Sequence, residues 1–219
     1  MRTVVVIPAY NAEASIGTLV QQLISQHQVI VVDDGSTDRT AEAAAAAGAA
    51  VLRQPRNGGK GAALRRGFAA ALERGAEAVV TMDGDGQHDP ADLPHLAAAA
   101  AASRAGIVLG NRMSSRGTMP RVRWYTNRAM SAMLSRLCRQ AIPDSQCGFR
   151  WIAREVLERC PLSAERFEIE SELLVAASRA GFAIASVPVR SIYDRHTSTI
   201  RPWQDTWRFL RFLARGGRT

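Results

Sequence analysis

Two aspartates one residue apart, Asp83 and Asp85, follow an apolar run at 78–82 and precede Gln87, His88 and Pro90. The glycine between them lets both carboxylates direct oxygens at one point, and Gln87 adds a neutral oxygen. Oxygen ligands of this kind suit Mg²⁺ or Mn²⁺, which then bridge the phosphates of a nucleotide. The alternative is a solvated turn before a helix, because Asp-Gly and Asp-Pro are ordinary turn formers. The position of the pair at a strand end favours a metal site.

Three further polar clusters stand near the points where apolar runs stop. They are Pro8-Ala9-Tyr10-Asn11, Asp33-Asp34-Gly35-Ser36 and Asn57-Gly58-Gly59-Lys60-Gly61. In an open parallel sheet, ligands bind outside the carboxyl ends of the strands. The four clusters are therefore predicted to converge on one crevice.

The two aspartates after the second apolar run allow two roles. An aspartate just past a strand can accept hydrogen bonds from a ribose hydroxyl or a base edge. It can also cap the following helix, although Ser36 or Asp38 could do that instead. We predict one capping role and one nucleotide role for Asp33 and Asp34. The glycines before Lys60 lack the spacing of a Walker-type phosphate loop, so we predict only glycine packed tightly against a ligand with Lys60 near it.

The elements that must position these clusters alternate along the first half of the chain. Short β-branched runs at 3–7, 29–32, 49–52, 78–82 and 107–109 predict strands. Segments with helical spacing lie between and after them, at about 12–26, 37–47, 60–74 and 91–104. Strands separated by helix-length pieces predict an α/β fold with a mostly parallel sheet flanked by helices.

The length and net charge of the chain limit its domain organisation and the kinds of partner it can bind. The chain has 219 residues, 47% of them hydrophobic, which predicts one domain with at most a small appendage. Its formal charge of +8 points to anionic partners such as nucleic acid, phosphorylated small molecules or a membrane surface. Seven arginines and two aspartates follow from Arg190 onward, so the C-terminal tail alone carries +5. Three cysteines without a C-x-x-C pair, and no signal or transmembrane segment, predict a cytosolic protein.

Six motifs in order carry a resemblance to a known family. The chain resembles glycosyltransferase family two, with the GT-A fold, and within it the dolichyl- or polyprenyl-phosphate sugar synthases, from residue 3 to about 200. The motifs are Pro8-Ala9-Tyr10-Asn11-Ala12-Glu13, Asp33-Asp34-Gly35-Ser36-x-Asp38, Asn57-x-Gly59-Lys60-Gly61, Asp83-x-Asp85-x-Gln87-His88-x-Pro90, Gly110-x-Arg112 and Asp144-x-Gln146-Cys147-Gly148-Phe149-Arg150.

The resemblance implies roles on the donor side. The positions that hold the base and ribose of a nucleotide-diphospho-sugar are Pro8, Tyr10, Glu13, Asp33 and Gly35. Asp83, Asp85 and Gln87 match the family's metal site, which steadies the donor diphosphate, and Lys60 joins the binding residues. A loop at 195–199 resembles one that often ends Ser-Lys. Here Thr199 replaces the lysine, so Arg195, His196 or Arg201 is left to contact the donor phosphate, and Ser198 is counted among the substrate-binding residues.

It also implies roles on the acceptor side. Arg112, Arg123 and Arg128 match a cationic set that grips the acceptor's phosphate, and Gln146 is counted with them. Asn127 stands near a position where relatives often have serine, which is a departure from the family pattern. The residues expected to act in the reaction itself are Asp85, Asp144 and Arg112.

The chemistry follows from a phosphate acceptor. A phosphate monoester has a second pKa near 6, so it is already anionic at neutral pH and needs little help from a base. Positioning and charge stabilisation then dominate. The resemblance implies attack on the anomeric carbon with inversion. An alcohol acceptor on another lipid or glycan would need a base, for which Asp144 is the first candidate and His88 the second.

The basic tail at 202–219 is predicted as an amphipathic helix after a domain at 1–201. Aromatic and apolar residues fall on one side and arginines on the other, as in a helix at an anionic membrane; the alternative is a helix packed on the sheet. Residues 124–137 carry Met130, Met133, Leu134 and Leu137 at helical spacing beside it. Relatives often continue into transmembrane helices; without one, we expect peripheral attachment at the cytoplasmic face, a membrane-anchoring partner or self-association.

Other classes fit less well. A sugar nucleotidyltransferase would carry a glycine-rich signature directly after the first strand, where this chain has Pro8-Ala9-Tyr10-Asn11. A nucleic-acid binder would interleave basic residues with stacking aromatics, which the first hundred residues do not do. A degenerate, binding-only glycosyltransferase is disfavoured because both aspartates of the metal motif are present.

Overall fold

The computed structural model describes residues 1–114 and 119–190, which form one seven-stranded sheet flanked by helices. The strands are β1 (Thr3–Ala9), β2 (Gln28–Asp33), β3 (Ala50–Arg53), β4 (Ala78–Thr81), β5 (Ile107–Asn111), β6 (Arg150–Ala153) and β7 (Ile184–Pro188). The helices are α1 (Glu13–Ile24), α2 (Thr40–Ala46), α3 (Lys60–Glu73), α4 (Leu93–Ser103), α5 (Arg121–Cys138), α6 (Arg154–Arg159) and α7 (Glu168–Arg179). The predicted α/β class is confirmed.

The strand order is β3-β2-β1-β4-β6-β5-β7, and β6 runs antiparallel to both of its neighbours. Arg150, at the start of β6, lies opposite Thr81 of β4 and Leu109 of β5. Because β6 begins where its parallel neighbours end, the residues just before it lie at the carboxyl edge of the sheet. The reversed strand thus brings the segment 144–149 to the edge where ligands are expected.

Both faces of the sheet are buried, as expected for a sheet covered by helices on each side. Along β1, Val4 and Val6 belong to one buried cluster, with residues of α3, α5 and α7, while Val5 and Ile7 belong to a second, with residues of α1, α2 and α4. Burying a side chain of this size stabilises the fold by about 1.5–3 kcal/mol. The continuous apolar runs therefore fix the sheet, and the polar residues that follow them are left at its edge.

The four helices predicted between and after the early strands are confirmed as α1 to α4. Of the residues predicted at helical spacing at 124–137, Met130, Leu134 and Leu137 pack against the core, whereas Met133 is exposed. The predicted tail helix and the division at residue 201 lie outside the described residues. Within 1–114 and 119–190, no helix combines the length and the apolar content that crossing a membrane requires.

Candidate active site

Asp33, at the end of β2, is fully buried, and one of its two carboxylate oxygens accepts no hydrogen bond from the described residues. Its Oδ1 accepts the N–H of Ser36 at 3.0 Å, while its Oδ2 accepts no hydrogen bond from the described residues. Arg53 Nε lies 3.3 Å from that oxygen, and Arg53 also lines an open cleft of about 350 Å³ with Gly35, Ser36, Gln54 and Pro55. A cleft of this size beside a spare carboxylate oxygen suits part of a nucleotide.

Asp34 has a structural role instead. Its Oδ1 accepts hydrogen bonds from Gln54 Nε2 at 2.7 Å and from Gly58 N at 2.8 Å, and its Oδ2 accepts one from Gly59 N at 2.8 Å. Burial raises the pKa of Asp34, although the two glycine N–H groups oppose the rise. Asp34 therefore holds the glycine loop against β2. The start of α2 is served by Asp38, whose Oδ1 accepts the N–H of Thr40 at 3.0 Å.

The other residues predicted for the base and ribose lie near the end of β1. Pro8 is paired in the sheet, opposite Val32 of β2, and Tyr10 follows the strand with 45% of its surface exposed. Glu13 opens α1 and is engaged by Arg39, whose Nε donates to Glu13 Oε1 at 3.0 Å. The contacts of Pro8, Tyr10 and Glu13 with a base or ribose stay predictions.

Lys60 is the first residue of α3 and lies between two carboxylates. Its Nζ is 2.6 Å from Asp83 Oδ1 and 2.9 Å from Glu170 Oε1. Burial alone would lower the pKa of Lys60, but attraction to Asp83 and Glu170 outweighs it and raises the pKa well above its usual range. A Cβ on Gly61 would lie 2.4 Å from the carbonyl oxygen of Ala164. Glycine here therefore lets α3 start tightly against the chain's own loop.

Asp83 is held in its charged form. Burial would raise its pKa, but Lys60 and His88 outweigh that effect and hold it well below its usual range. His88 is buried, its Nε2 lies 3.6 Å from Asp83 Oδ2, and its Nδ1 has no hydrogen-bond partner among the described residues. A Cβ on Gly148 would lie 2.4 Å from Asp83 Oδ2. The segment before β6 therefore packs directly on this carboxylate.

Asp85 is exposed and lightly engaged. Its Oδ1 accepts the N–H of Gln87 at 3.0 Å, and its other oxygen makes no hydrogen bond or ion pair with the described residues. Although Asp85 as a residue is exposed, partial burial of its carboxyl group raises its pKa. Repulsion from Asp83 raises this pKa further. Two carboxylates that repel each other, with an open side, suit a divalent cation, which relieves the repulsion.

The donor set at this point is nevertheless small. In the part of the chain that the structure describes, no three His, Cys, Asp or Glu side chains cluster around one metal-sized point. Two carboxylates and the Gln87 amide leave room for the phosphate oxygens and water that Mg²⁺ or Mn²⁺ keeps when it binds a nucleotide. The residues present therefore fit a cation held jointly by protein and diphosphate.

Arg112 and Asp144 form a buried bidentate pair beside this edge. Arg112 Nε lies 2.8 Å from Asp144 Oδ2, its Nη2 lies 3.0 Å from Oδ1, and its backbone N–H donates to Oδ2 at 3.1 Å. Gln146 N donates to Asp144 Oδ1 at 3.3 Å. Such pairs are rigid as well as strong. A base role for Asp144 stays a prediction, and it would require Asp144 to break its hydrogen bonds with Arg112.

The remaining acceptor-side residues lie on α5 and near it. Asn127 is buried, and its Nδ2 has no hydrogen-bond partner among the described residues. Arg128 is exposed and stacks over Trp124 at 5.3 Å, while Arg123 is partly exposed. The Gln146 side chain donates to Ser145 Oγ at 3.0 Å. The predicted contacts from Arg195 and Ser198 lie outside the described residues.

Two residues that support the site, Glu170 and Arg150, were given no role by the sequence analysis, although Arg150 belongs to one of the family motifs. Glu170 of α7 holds Lys60 from a position 110 residues away, which no local pattern reveals. Arg150 is fully buried and donates to the carbonyl oxygens of Ser145, Cys147 and Glu170 at 2.6–2.8 Å. A signal for Arg150 was available, because a lone arginine opening the apolar strand Arg150–Ala153 requires buried partners.

Comparison with known proteins agrees with this geometry. A family model described as glycosyl transferase family 2 matches residues 4–160. A polyprenol monophosphomannose synthase from Mycolicibacterium smegmatis is 32% identical over 203 residues, covering 86% of this chain and 76% of its own. An undecaprenyl-phosphate mannosyltransferase from Micrococcus luteus is 31% identical over 205 residues, covering 86% of this chain and 83% of its own.

A solved structure is similar across the whole chain. Glucosyl-3-phosphoglycerate synthase from Mycobacterium tuberculosis, in complex with Mn²⁺, UDP-glucose and phosphoglyceric acid, superposes with a TM-score of 0.76 at 26% identity. The match covers all of this chain and 80% of the other. The GT-A fold and the resemblance to polyprenyl-phosphate sugar synthases are confirmed, so the protein is a glycosyltransferase. On its sequence and its fold together, the chain belongs to glycosyl transferase family 2.

Proposed function

We propose that this enzyme transfers a sugar from a nucleotide-diphospho-sugar, GDP-mannose or UDP-glucose, to a polyprenyl phosphate. The observation that carries the proposal is the arrangement of Asp83, Asp85 and Lys60 at the carboxyl edge of the sheet, with the Arg112–Asp144 pair near it. Carboxylates for a cation and a partly buried lysine suit a diphosphate leaving group, while a rigid arginine suits an anionic acceptor. The polyprenyl-phosphate relatives support the acceptor class.

On the donor side, the spare Asp33 oxygen accepts a hydrogen bond from the base or ribose, in the cleft lined by Gly35 and Arg53. Asp83, Asp85 and Gln87 are the residues that would hold Mg²⁺ or Mn²⁺, and the cation would supply positive charge against the diphosphate leaving group. Lys60 keeps Asp83 ionised and adds a positive charge within the same site. The donor is thereby oriented with its anomeric carbon toward the acceptor side.

On the acceptor side, Arg112 and Arg123 bind the phosphate. Arg123 belongs to α5, as do Asn127 and Arg128. A lone pair on a phosphate oxygen forms the new bond to the anomeric carbon. The bond from that carbon to the donor's β-phosphate oxygen breaks, and its electron pair leaves with the nucleoside diphosphate. The phosphate is already ionised at neutral pH, so no base is required. Asp144 then acts as the residue that positions Arg112.

The lipid acceptor places the reaction at a membrane surface, with residues 1–201 as the catalytic domain and 202–219 as a basic tail. We propose peripheral attachment at the cytoplasmic face, helped by a membrane-anchoring partner or self-association. A hydroxyl acceptor on another lipid or glycan is the second candidate. With a hydroxyl acceptor, Asp144 would act as the base and would have to give up its pairing with Arg112.

The test is a donor and acceptor screen on the full-length protein. Each of GDP-mannose, UDP-glucose and UDP-N-acetylglucosamine is supplied with Mg²⁺ or Mn²⁺ and undecaprenyl or dolichyl phosphate. Phosphoglyceric acid and a polyprenol without phosphate serve as competing acceptors. Products are identified by mass, and parallel reactions contain EDTA.

A polyprenyl-phosphate sugar that forms only with metal supports the whole proposal and names the donor. A product on phosphoglyceric acid or on the free polyprenol, with none on polyprenyl phosphate, contradicts the acceptor. Equal turnover in EDTA contradicts the metal assignment while leaving the acceptor intact.

A further inference from the structure

Helix α5 has two different faces. Its buried residues, Asn127, Ser131, Leu134 and Cys138, recur at spacings of three and four and turn toward the protein. The opposite face is exposed: Val122 is 79%, Tyr125 is 59% and Met133 is 42% exposed. Ala129, also exposed, lies between them on the same stripe. An outward stripe of apolar and aromatic side chains is unusual for a helix that already packs on a core.

This stripe concentrates the exposed apolar surface of the molecule. Among the described residues, seven large hydrophobic side chains are exposed, and three of them are Val122, Tyr125 and Met133. The other four are scattered over separate elements: Met1, Tyr10, Ile24 and Phe167. Single exposed apolar side chains need no explanation, but a row of them on one helix indicates a contact surface.

The charge of α5 indicates which kind of partner its exposed face contacts. The sequence of α5 contains four arginines and no aspartate or glutamate. Three of these arginines, Arg121, Arg128 and Arg136, are exposed beside the apolar stripe. A helix with apolar and aromatic residues on one stripe and arginines at its margin lies in the interface of an anionic bilayer.

We propose that the outer face of α5, formed by Val122, Tyr125, Ala129 and Met133 with Arg121, Arg128 and Arg136, rests on an anionic lipid surface. The proposal builds on the lipid acceptor proposed above and names where the membrane is met. Because Asn127 and Arg123 belong to the same helix, contact through its outer face holds the acceptor side within about 10 Å of the lipid headgroups, one helix diameter.

A lipid surface fits better than a second copy of the chain. A twofold dimer through this face would bring the same patch of each protomer together. Arg121, Arg128 and Arg136 would then face their own counterparts, in a chain whose net charge is +8. Like charges placed against each other oppose association, whereas anionic headgroups attract them.

The experiment measures binding of the full-length protein to vesicles that contain no polyprenyl phosphate. Vesicles of phosphatidylcholine with about 30 mol% phosphatidylglycerol are compared with pure phosphatidylcholine by co-sedimentation. The test variants are Val122→Asp/Tyr125→Asp, which removes the apolar contact, and Arg121→Ala/Arg136→Ala, which removes charge. The control is Ile24→Asp, which introduces one negative charge, half that of the apolar double variant, at an exposed apolar position of α1.

We expect wild type to prefer the anionic vesicles. The apolar double variant should lower the partition coefficient by about tenfold or more, because two inserted side chains are replaced by anions. The arginine double variant should lower it by a similar factor at low salt and by less at high salt. Ile24→Asp should stay within about twofold of wild type, since surface charges away from the contact are screened. The tail is the same in all variants, so it does not affect the comparison.

Three results would overturn the proposal. Partition coefficients that do not change in either double variant exclude this face as the lipid contact. An equal loss in Ile24→Asp assigns the effect to net charge alone. Unchanged vesicle binding with an altered molar mass or a lower melting temperature in Val122→Asp/Tyr125→Asp assigns the face to another chain or to residues 202–219. Because the vesicles lack acceptor, failure of the sugar transfer assay does not affect this result.

Discussion

The donor side and the acceptor side of the site are held in different ways. On the donor side, Asp34 accepts three hydrogen bonds, and Lys60 bridges Asp83 and Glu170 at 2.6 and 2.9 Å. On the acceptor side, Arg112 is fixed by Asp144, but the Asn127 Nδ2 has no hydrogen-bond partner among the described residues. The chain's own charges therefore preorganise the diphosphate end, while the acceptor end keeps polar groups available for substrate.

This difference predicts where substitutions do most damage. A preorganised donor side loses transition-state stabilisation as soon as one member is removed, because neighbouring groups cannot replace it. Substitutions on the acceptor side should act mainly on acceptor binding. Four variants test this division, from the largest expected effect to the smallest.

Asp85→Asn has the largest expected effect. It removes one charge from the carboxylate pair that is proposed to hold the cation, and we expect kcat to fall about a thousandfold, as when a group that stabilises developing charge is lost. Asp85 is exposed and, from the part of the chain that the structure describes, accepts only the N–H of Gln87, so the fold should be unaffected. Steady-state kinetics at saturating metal, with circular dichroism alongside, measure both.

The matched control for Asp85 is Asp89→Asn, four residues along the same loop. Asp89 accepts the N–H of Ala91 at the start of a 3₁₀ turn, and asparagine caps such turns as well as aspartate does. It loses the same charge near the same site, so turnover close to wild type isolates the role of Asp85. Full activity in a pure Asp85→Asn preparation would remove the metal assignment.

Gly148→Ala should reduce turnover about a hundredfold. The new Cβ would lie 2.4 Å from Asp83 Oδ2, so the carboxylate or the segment before β6 must move, and displacements of about 1 Å are this costly in a preorganised site. The control is Gly17→Ala, where the nearest atom to the new Cβ is 3.7 Å away. Gly17 lies inside α1, so its replacement should preserve activity and add up to about 1 kcal/mol of stability. Equal activity of the two variants would show that Asp83 tolerates displacement.

Asp144→Asn tests the one rigid element of the acceptor side. It removes the charge of one member of the buried Arg112–Asp144 pair, and we expect the free energy of unfolding to fall by about 3 kcal/mol. Glu158→Gln breaks the Arg154–Glu158 pair, whose side chains are 39% and 46% exposed, and should cost less than about 1 kcal/mol. Urea denaturation compares the two.

The kinetics of Asp144→Asn separate positioning from base catalysis. If Asp144 only positions Arg112, KM for polyprenyl phosphate rises while the shape of the pH profile of kcat stays the same. Loss of the acidic limb of that profile, with KM unchanged, would instead identify Asp144 as a base. The two outcomes distinguish the phosphate acceptor from the hydroxyl acceptor.

The sequence was sufficient for the residues at the strand ends of the donor side because their signals are local. Apolar runs that stop at Asp33 and at Asp83 predict strands with polar ends, and strand ends meet at one edge of a parallel sheet. The glycines around Lys60 were harder to interpret. They suggested close approach to a ligand, whereas Gly59 and Gly61 approach the backbone of Ala164 and Glu165.

The long-range contacts on both sides of the site are not encoded by sequence spacing. The antiparallel direction of β6, which brings Gly148 onto Asp83, follows from strand pairing across about 70 residues of chain. The Arg112–Asp144 pair spans 32 residues, and the Glu170–Lys60 contact spans 110. Only the family resemblance pointed to Asp144, and nothing in the sequence assigned Glu170. Long-range pairing of buried charges was therefore the part of the site that remained hidden.

Asn127 tests the difference between the acceptor side and the donor side through the smallest expected effect of the four variants. Its buried Nδ2 lacks a hydrogen-bond partner among the described residues, and a buried donor left unsatisfied costs about 1–3 kcal/mol. If the acceptor phosphate satisfies it, Asn127→Ala should raise KM for polyprenyl phosphate by about fivefold to tenfold and leave KM for the donor unchanged. Asn127→Ser keeps a donor at this position and should recover most of the affinity. Ser131→Ala, one turn along the same buried face, is the control, because the hydrogen bonds of Ser131 Oγ within the described residues are made with Ser145. A rise in donor KM, or equal effects of the alanine and serine variants, would place Asn127 in the packing of α5, and the preference for acceptor over donor would then rest on the arginines alone.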